Sequence, residues 1–164
     1  MLLSKGSVVS RNDQCSEIKI FSFKDSNIQG VFSNGIYGEK VFLNLTSMIL
    51  MVEDCMNSIS FPHPMFQYRT MDIQPDMELS SKKIAYRDAA EFTIPQEEQP
   101  AGWEGRKPLV TVRFRIMLRT ISGWQGEAEL LENGKKKKFR SDLEFIMFIV
   151  DALKARSEAE ESFL

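Results

Sequence analysis

Each half of the chain reads strand, strand, strand, helix, and that repeated order restricts the fold more than any other feature, because such units bury their apolar positions as antiparallel sheet beneath helices. In the first half Ile18 to Phe23 is a strand, Ile28-Gln29-Gly30-Val31-Phe32 follows, and Asn34-Gly35 signals a turn. A third segment ends at Val41-Phe42, and a helix is expected from about Leu45 to Asn57. In the second half Val110 to Ile121 is a long strand, followed by Trp124-Gln125-Gly126 and an Asn133-Gly134 turn. A segment then ends at Phe139, and a helix is expected from Asp142 to about Ala155. Gln29-Gly30 answers Gln125-Gly126, and Phe42, Asn44, Ile49, Val52, Asp54 and Met56 answer Phe139, Ser141, Ile146, Ile149, Asp151 and Leu153. The alternative is that any hairpin followed by a capped helix gives this likeness.

The expected fold class is therefore α+β, with two βββα repeats forming an antiparallel sheet that carries its helices on one face. Residues 10–61 form the first unit, 62–108 a Pro-containing connection, 109–156 the second unit and 157–164 a polar tail, all within one compact domain. Ser141-Asp142-Leu143-Glu144 has capping-box spacing, which fixes the second helix start, and Asn44 suits the same role in the first half. Asn57-Ser58 supplies a stop before Phe61-Pro62-His63-Pro64. Met65 to Met71 reads as an edge strand, Lys83 to Ile94 as strand or helix, and Pro95 to Pro108 as an exposed loop.

From Trp124-Gln125-Gly126 through Phe139-Arg140-Ser141-x-Leu143-Glu144 to Asp151-Ala152-Leu153, residues 110–154 resemble small uncharacterised bacterial proteins of Firmicutes type. That resemblance implies a hairpin followed by a capped apolar helix, and it implies no activity.

Chemistry is sparse. His63 is the only histidine, which closes triad and multi-histidine metal sites to a single chain. Cys15 and Cys55 stand forty positions apart, neither a disulfide framework nor a zinc pattern, so a reducing, cytoplasmic compartment is expected. Glu53 and Asp54 diverge by about 100° on a helix and read as a solvated face. The Gly102-Trp103-Glu104-Gly105 and Gly123-Trp124-Gln125-Gly126 echoes lack a phosphate-loop pattern and read as turns carrying an aromatic side chain. No catalytic residue, metal or cofactor is expected, and the longest apolar run, Phe145 to Val150, is too short to span a bilayer.

Charge distribution carries the strongest lead. The net charge is only −2, yet residues 106 to 140 hold ten basic and three acidic side chains. Alternation from Val110 places Arg113, Arg115 and Arg119 on one sheet face, with Lys135, Lys136, Lys137 and Lys138 in the following hairpin. These seven residues are the candidate binding surface, and an exposed anchor is the alternative use of Trp103 in its polar loop. The reading favoured over that surface is that Glu127, Glu129 and Glu132 neutralise the arginines across strands while the lysines keep the edge from aggregating, because no aromatic interleaves the arginines as a stacking platform needs. The second helix is apolar over most of its circumference, so Phe148, Met147 and Val150 are expected at the contact of a homodimer. The first-half helix is the alternative cover. The function expected is a non-enzymatic interaction or assembly protein with an unidentified protein partner. A nucleic-acid-associated accessory role is the alternative, and an enzyme comes third.

Overall fold

A computed structural model of the chain describes residues 9–64, 98–120 and 123–161. The expected elements at Met65–Met71 and Lys83–Ile94 lie outside the described residues. A short helix α1 (Arg11–Gln14) leads into β1 (Cys15–Lys24), β2 (Asn27–Asn34), β3 (Gly38–Phe42) and α2 (Leu45–Ile59). After a 3₁₀ turn at Ala101–Trp103 come β4 (Val110–Thr120), β5 (Gly123–Leu130), β6 (Lys136–Phe139) and α3 (Asp142–Glu161). All five strand pairings are antiparallel, and they make one six-stranded sheet in the order β3-β2-β1-β4-β5-β6. Two meanders thus join through their first strands, β1 against β4.

Strand alternation sends Ile18, Ile20, Ile28, Phe32, Val112, Phe114, Ile116, Trp124, Ala128 and Leu130 to one face, where they form a single core cluster with both long helices. Helix α2 supplies Met48, Met51, Val52, Cys55, Met56 and Ile59, a stripe with the three-and-four spacing of a covered helix face. Phe145 of α3 is the aromatic hub, with ring centroids 4.8 Å from Phe114, 5.0 Å from Phe139 and 6.0 Å from Trp124.

Helix starts follow the expected chemistry. Asn44 Oδ1 accepts the Ser47 N–H at 2.8 Å, and Ser141 Oγ accepts the Glu144 N–H at 3.2 Å. Glu144 reaches back to the N–H of Arg140, one residue before the cap. Helix α2 runs two residues past its expected stop, because Ser60 takes the left-handed conformation that ends it. Helix α3 runs on to Glu161.

Three expectations are corrected. Trp124 lies within β5, 1 % exposed, instead of decorating a turn. Trp103, a candidate exposed anchor in the loop expected to be exposed, is 6 % exposed and stacks on Phe21 with centroids 5.2 Å apart, so its loop folds back onto the sheet. Phe148, expected at an oligomer contact, is 4 % exposed in the core of the single chain. It follows Phe145 by three positions and so sits about 60° from it, inside the stripe that Ile149 and Leu153 complete. Met147 remains exposed, as does Leu143, while Val150 is half-buried.

Both β1 and β4 carry a register shift, between Ile20 and Ser22 and between Ile116 and Leu118. Each shift faces a glycine without room for a side chain. A Cβ on Gly30 would lie 2.0 Å from the Lys19 carbonyl oxygen, and one on Gly126 would lie 2.1 Å from that of Arg115. Gly30→Ala and Gly126→Ala should each lower unfolding free energy by about 1–3 kcal/mol, since backbone and not a flexible side chain must yield. Gly102→Ala, with open space around it, is the control. Urea midpoints check this, and wild-type midpoints for both strand variants would show that the close approach is not a constraint.

Candidate functional site

The sheet face away from α2 and α3 carries most of the polar strand residues. Register sets them in rows. One row runs Glu39, Ser33, Glu17, Arg113, Glu129, Lys136 across β3, β2, β1, β4, β5 and β6. The next runs Cys15, Arg115, Glu127, Lys138. From Glu17 to the β6 edge the sign alternates strand by strand. Directly opposed unlike charges stabilise a sheet modestly and fix its register more than its free energy. Arg113 lies 3.5 Å from Glu17 and Arg115 3.5 Å from Glu127, so both arginines are paired within the sheet.

A groove of about 530 Å³ runs over this half of the face, lined by Arg11, Cys15, Arg113, Arg115, Glu127, Glu129 and Lys136 to Lys138. Arg115 Nε is buried there without a hydrogen-bond partner. A second open hollow of about 650 Å³ lies on the other side of Glu17 and Arg113, over β1 to β3, and its charged residues are Glu17, Glu39 and Arg113. The face is therefore basic toward β6 and mildly acidic toward β3. Lys136 and Lys138 stand on this face, whereas Lys137 pairs with Ala128 and belongs to the helix-side row. Lys135 lies in the turn, where its N–H donates to Asn133 Oδ1 at 2.9 Å.

Arg119 is corrected out of this face. The register shift after Ile116 reverses alternation, leaving Leu118 exposed and turning Arg119 under α2, where it is 7 % exposed. Its guanidinium donates to the Pro62 carbonyl at 2.8 Å, to Asn57 Oδ1 at 2.7 Å and to Glu53 Oε2 at 3.2 Å. Glu53 also accepts the indole N–H of Trp124. Burial draws the Arg119 guanidinium below its ordinary value, and Glu53 pulls it back. This network fastens α2, from the first meander, onto β4 and β5 of the second.

Asp54 points the other way and accepts the Tyr37 hydroxyl, which also receives Lys40 Nζ at 3.0 Å. Glu53 and Asp54 do diverge, but the solvated-face expectation is corrected, since both serve tertiary contacts. Burial first, then the bond to Asp54, holds the Tyr37 hydroxyl above its ordinary value. Burial pushes the Cys55 thiol up to about 12, against the opposing effect of its bond to Ser16. Sequence reasoning missed both networks, because neither the bulge nor the packing of α2 is marked by local spacing.

His63 is exposed between two prolines. Among the described residues no group of three or more His, Cys, Asp or Glu side chains could hold a metal, and no helix is long and apolar enough to cross a membrane. No family model matches the sequence, no curated protein matches it, and no solved structure matches the fold.

Replacing Arg119 with Met should cost about 2–3 kcal/mol, because hydrogen bonds from a charged donor to three acceptors are lost and Glu53 is left without its cation. Denaturant unfolding checks it. A loss under 0.5 kcal/mol, the order expected of an ordinary surface change, would show that the network does not fasten the halves.

Proposed function

We propose that the chain is a non-enzymatic protein-interaction or assembly module, built from two βββα units, that meets its partner with the helix-free sheet face. The observation that carries this reading is the alternating ladder from Glu17 through Arg113 and Glu129 to Lys136, repeated one row on by Arg115, Glu127 and Lys138. Its charges oppose one another across strands, with Glu17–Arg113 and Arg115–Glu127 in ion pairs, instead of converging on one point, as groups sharing a reacting atom would. Electrostatic patterns of this kind select partners and set register in association.

Correspondences at a nearly constant offset support the two-unit reading. Ile20 and Ile116, each just before a register shift, are 96 positions apart, and so are the glycines that face those shifts, Gly30 and Gly126. Phe42 and Phe139, opposite those glycines, are 97 apart. At the seam, Glu17 pairs with Arg113, which is its own counterpart 96 positions on. Two similar units related by a local two-fold would bring equivalent residues together in this way. The homodimer belongs to the same proposal, and its support at α3 narrows to the exposed Leu143 and Met147.

One observation favours the nucleic-acid alternative: the groove over β4 to β6 has five basic side chains on its face, Arg11, Arg113, Arg115, Lys136 and Lys138, against two glutamates. Binding that follows simple charge should be weak, about 10⁻⁴ to 10⁻⁶ M near physiological salt, and indifferent to sequence. Titration of duplex and single-stranded DNA into the chain, beside an Arg113→Gln/Arg115→Gln variant, checks this. Tight binding that survives 200 mM salt and is lost in the variant would replace the protein-interaction reading. Light scattering of the same samples at micromolar concentration is expected to give a dimer, and a monomer would remove that part of the proposal.

A further inference from the structure

Strand β6 ends the sheet, and among the described residues no strand pairs with its outer side. Leu130 donates its N–H to the Lys135 carbonyl at 2.9 Å, and Ala128 and Gly126 pair with Lys137 and Phe139. In an antiparallel ladder the hydrogen-bonding direction alternates residue by residue, so the main-chain groups of Lys136 and Lys138 point away from β5. Both side chains are exposed on the helix-free face, and neither has an ion-pair partner among the described residues. Each terminates a row whose sign alternates strand by strand. In one the order is Glu17, Arg113, Glu129, Lys136, and in the other Arg115, Glu127, Lys138. The next strand that continues both rows carries carboxylates at two positions separated by one residue.

We infer that β6 is a docking edge for an extended acidic segment of a partner protein, which adds as a seventh strand and sets an acid-x-acid pair opposite Lys136 and Lys138. This rests on the protein-interaction reading above and names the chemistry of its partner. Main-chain bonds to the edge supply the attachment, and the two carboxylates supply register and selectivity. A lysine-rich edge also discourages pairing with another copy of itself, and an acidic strand is one that the edge attracts. Lys137, whose side chain leaves on the opposite face, contributes nothing to the selection.

The probe is a synthetic heptapeptide with capped ends, glutamate at its third and fifth positions and valine or threonine elsewhere. It is titrated into the full chain while backbone amide shifts are followed. The expected result is saturable binding with the largest shifts at Lys136 to Lys138. Affinity should fall roughly tenfold or more in Lys136→Glu/Lys138→Glu and return when the two peptide glutamates become lysines. Lys137→Glu should bind as the wild type does, and a peptide N-methylated at its third, fourth and fifth residues, which removes the inward N–H groups for either strand direction, should not bind. Binding to the wild type that is unchanged by the double reversal, or equally weakened by Lys137→Glu, overturns the inference. Shifts confined to Arg113, Arg115 and Glu17 overturn the docking edge while leaving the sheet face as an interaction surface. No peptide binding together with salt-resistant DNA binding overturns both.

Discussion

The antiparallel pairing of β1 with β4 is the contact on which the rest of the structure depends. Each meander by itself is a three-stranded sheet with one helix, and its first strand would be left as a long apolar edge. Pairing the two edges removes both at once and places Ile18 opposite Val112, each fully buried, at the centre of the core. The Glu17–Arg113 ion pair beside them is part-exposed, with side-chain accessibilities of 25 % and 52 %, so it contributes little to stability. Main-chain bonds and apolar burial hold the seam, and the charges specify its register. Arg119 adds a second tie from the other direction, joining α2 to the strands of the following half.

The two register shifts turn this seam into two unlike faces. Before each shift, alternation is regular and divides apolar from charged residues cleanly. Beyond it the phase reverses, which exposes Leu118 and brings Arg119 inward. The polar face is consequently limited to the stretch where β1, β4, β5 and β6 remain in phase. Its ion pairs are Glu17–Arg113 and Arg115–Glu127, and among the described residues Lys136 and Lys138 at the β6 edge have none. Surface that is internally paired contributes to partner selection mainly by what it leaves open, and here that is a row of main-chain groups flanked by two lysines.

Much of this architecture was legible in the sequence, for identifiable reasons. Strands β1, β2, β4 and both long helices announce themselves by periodicity, and Asn44 and Ser141 by their caps, because these signals are local. The Gln-Gly echo is also local, although its cause, a backbone carbonyl about 2 Å from where each glycine's Cβ would sit, is tertiary. What was not legible depended on partners distant in the chain. Simple alternation assigned Arg119 to the open face, since a bulge leaves no composition mark. Trp103 sits in a polar loop and looked exposed, but Phe21, far away in sequence, provides its cover. Phe148 was assigned outward although its spacing from Phe145 fits the covered stripe. The charge ladder was half visible, since Glu127 and Glu129 were recognisable as counterparts of the arginines, whereas the contribution of Glu17 required knowing that β1 lies beside β4.

Site-resolved amide hydrogen exchange under native conditions tests the central claim, a sheet sealed at β1–β4 and open at β6, more directly than any other measurement. Amides in the seam, Ile18 and Val112 among them, should exchange only through global unfolding and therefore rank with the slowest in the chain. The amides of Lys136 and Lys138, directed outward from the last strand, should be among the fastest in the strands, together with outward amides of the other edge strand, β3. Seam amides that exchange as quickly as those of β6 would contradict the account, as would strong protection at Lys136 and Lys138 in the free chain.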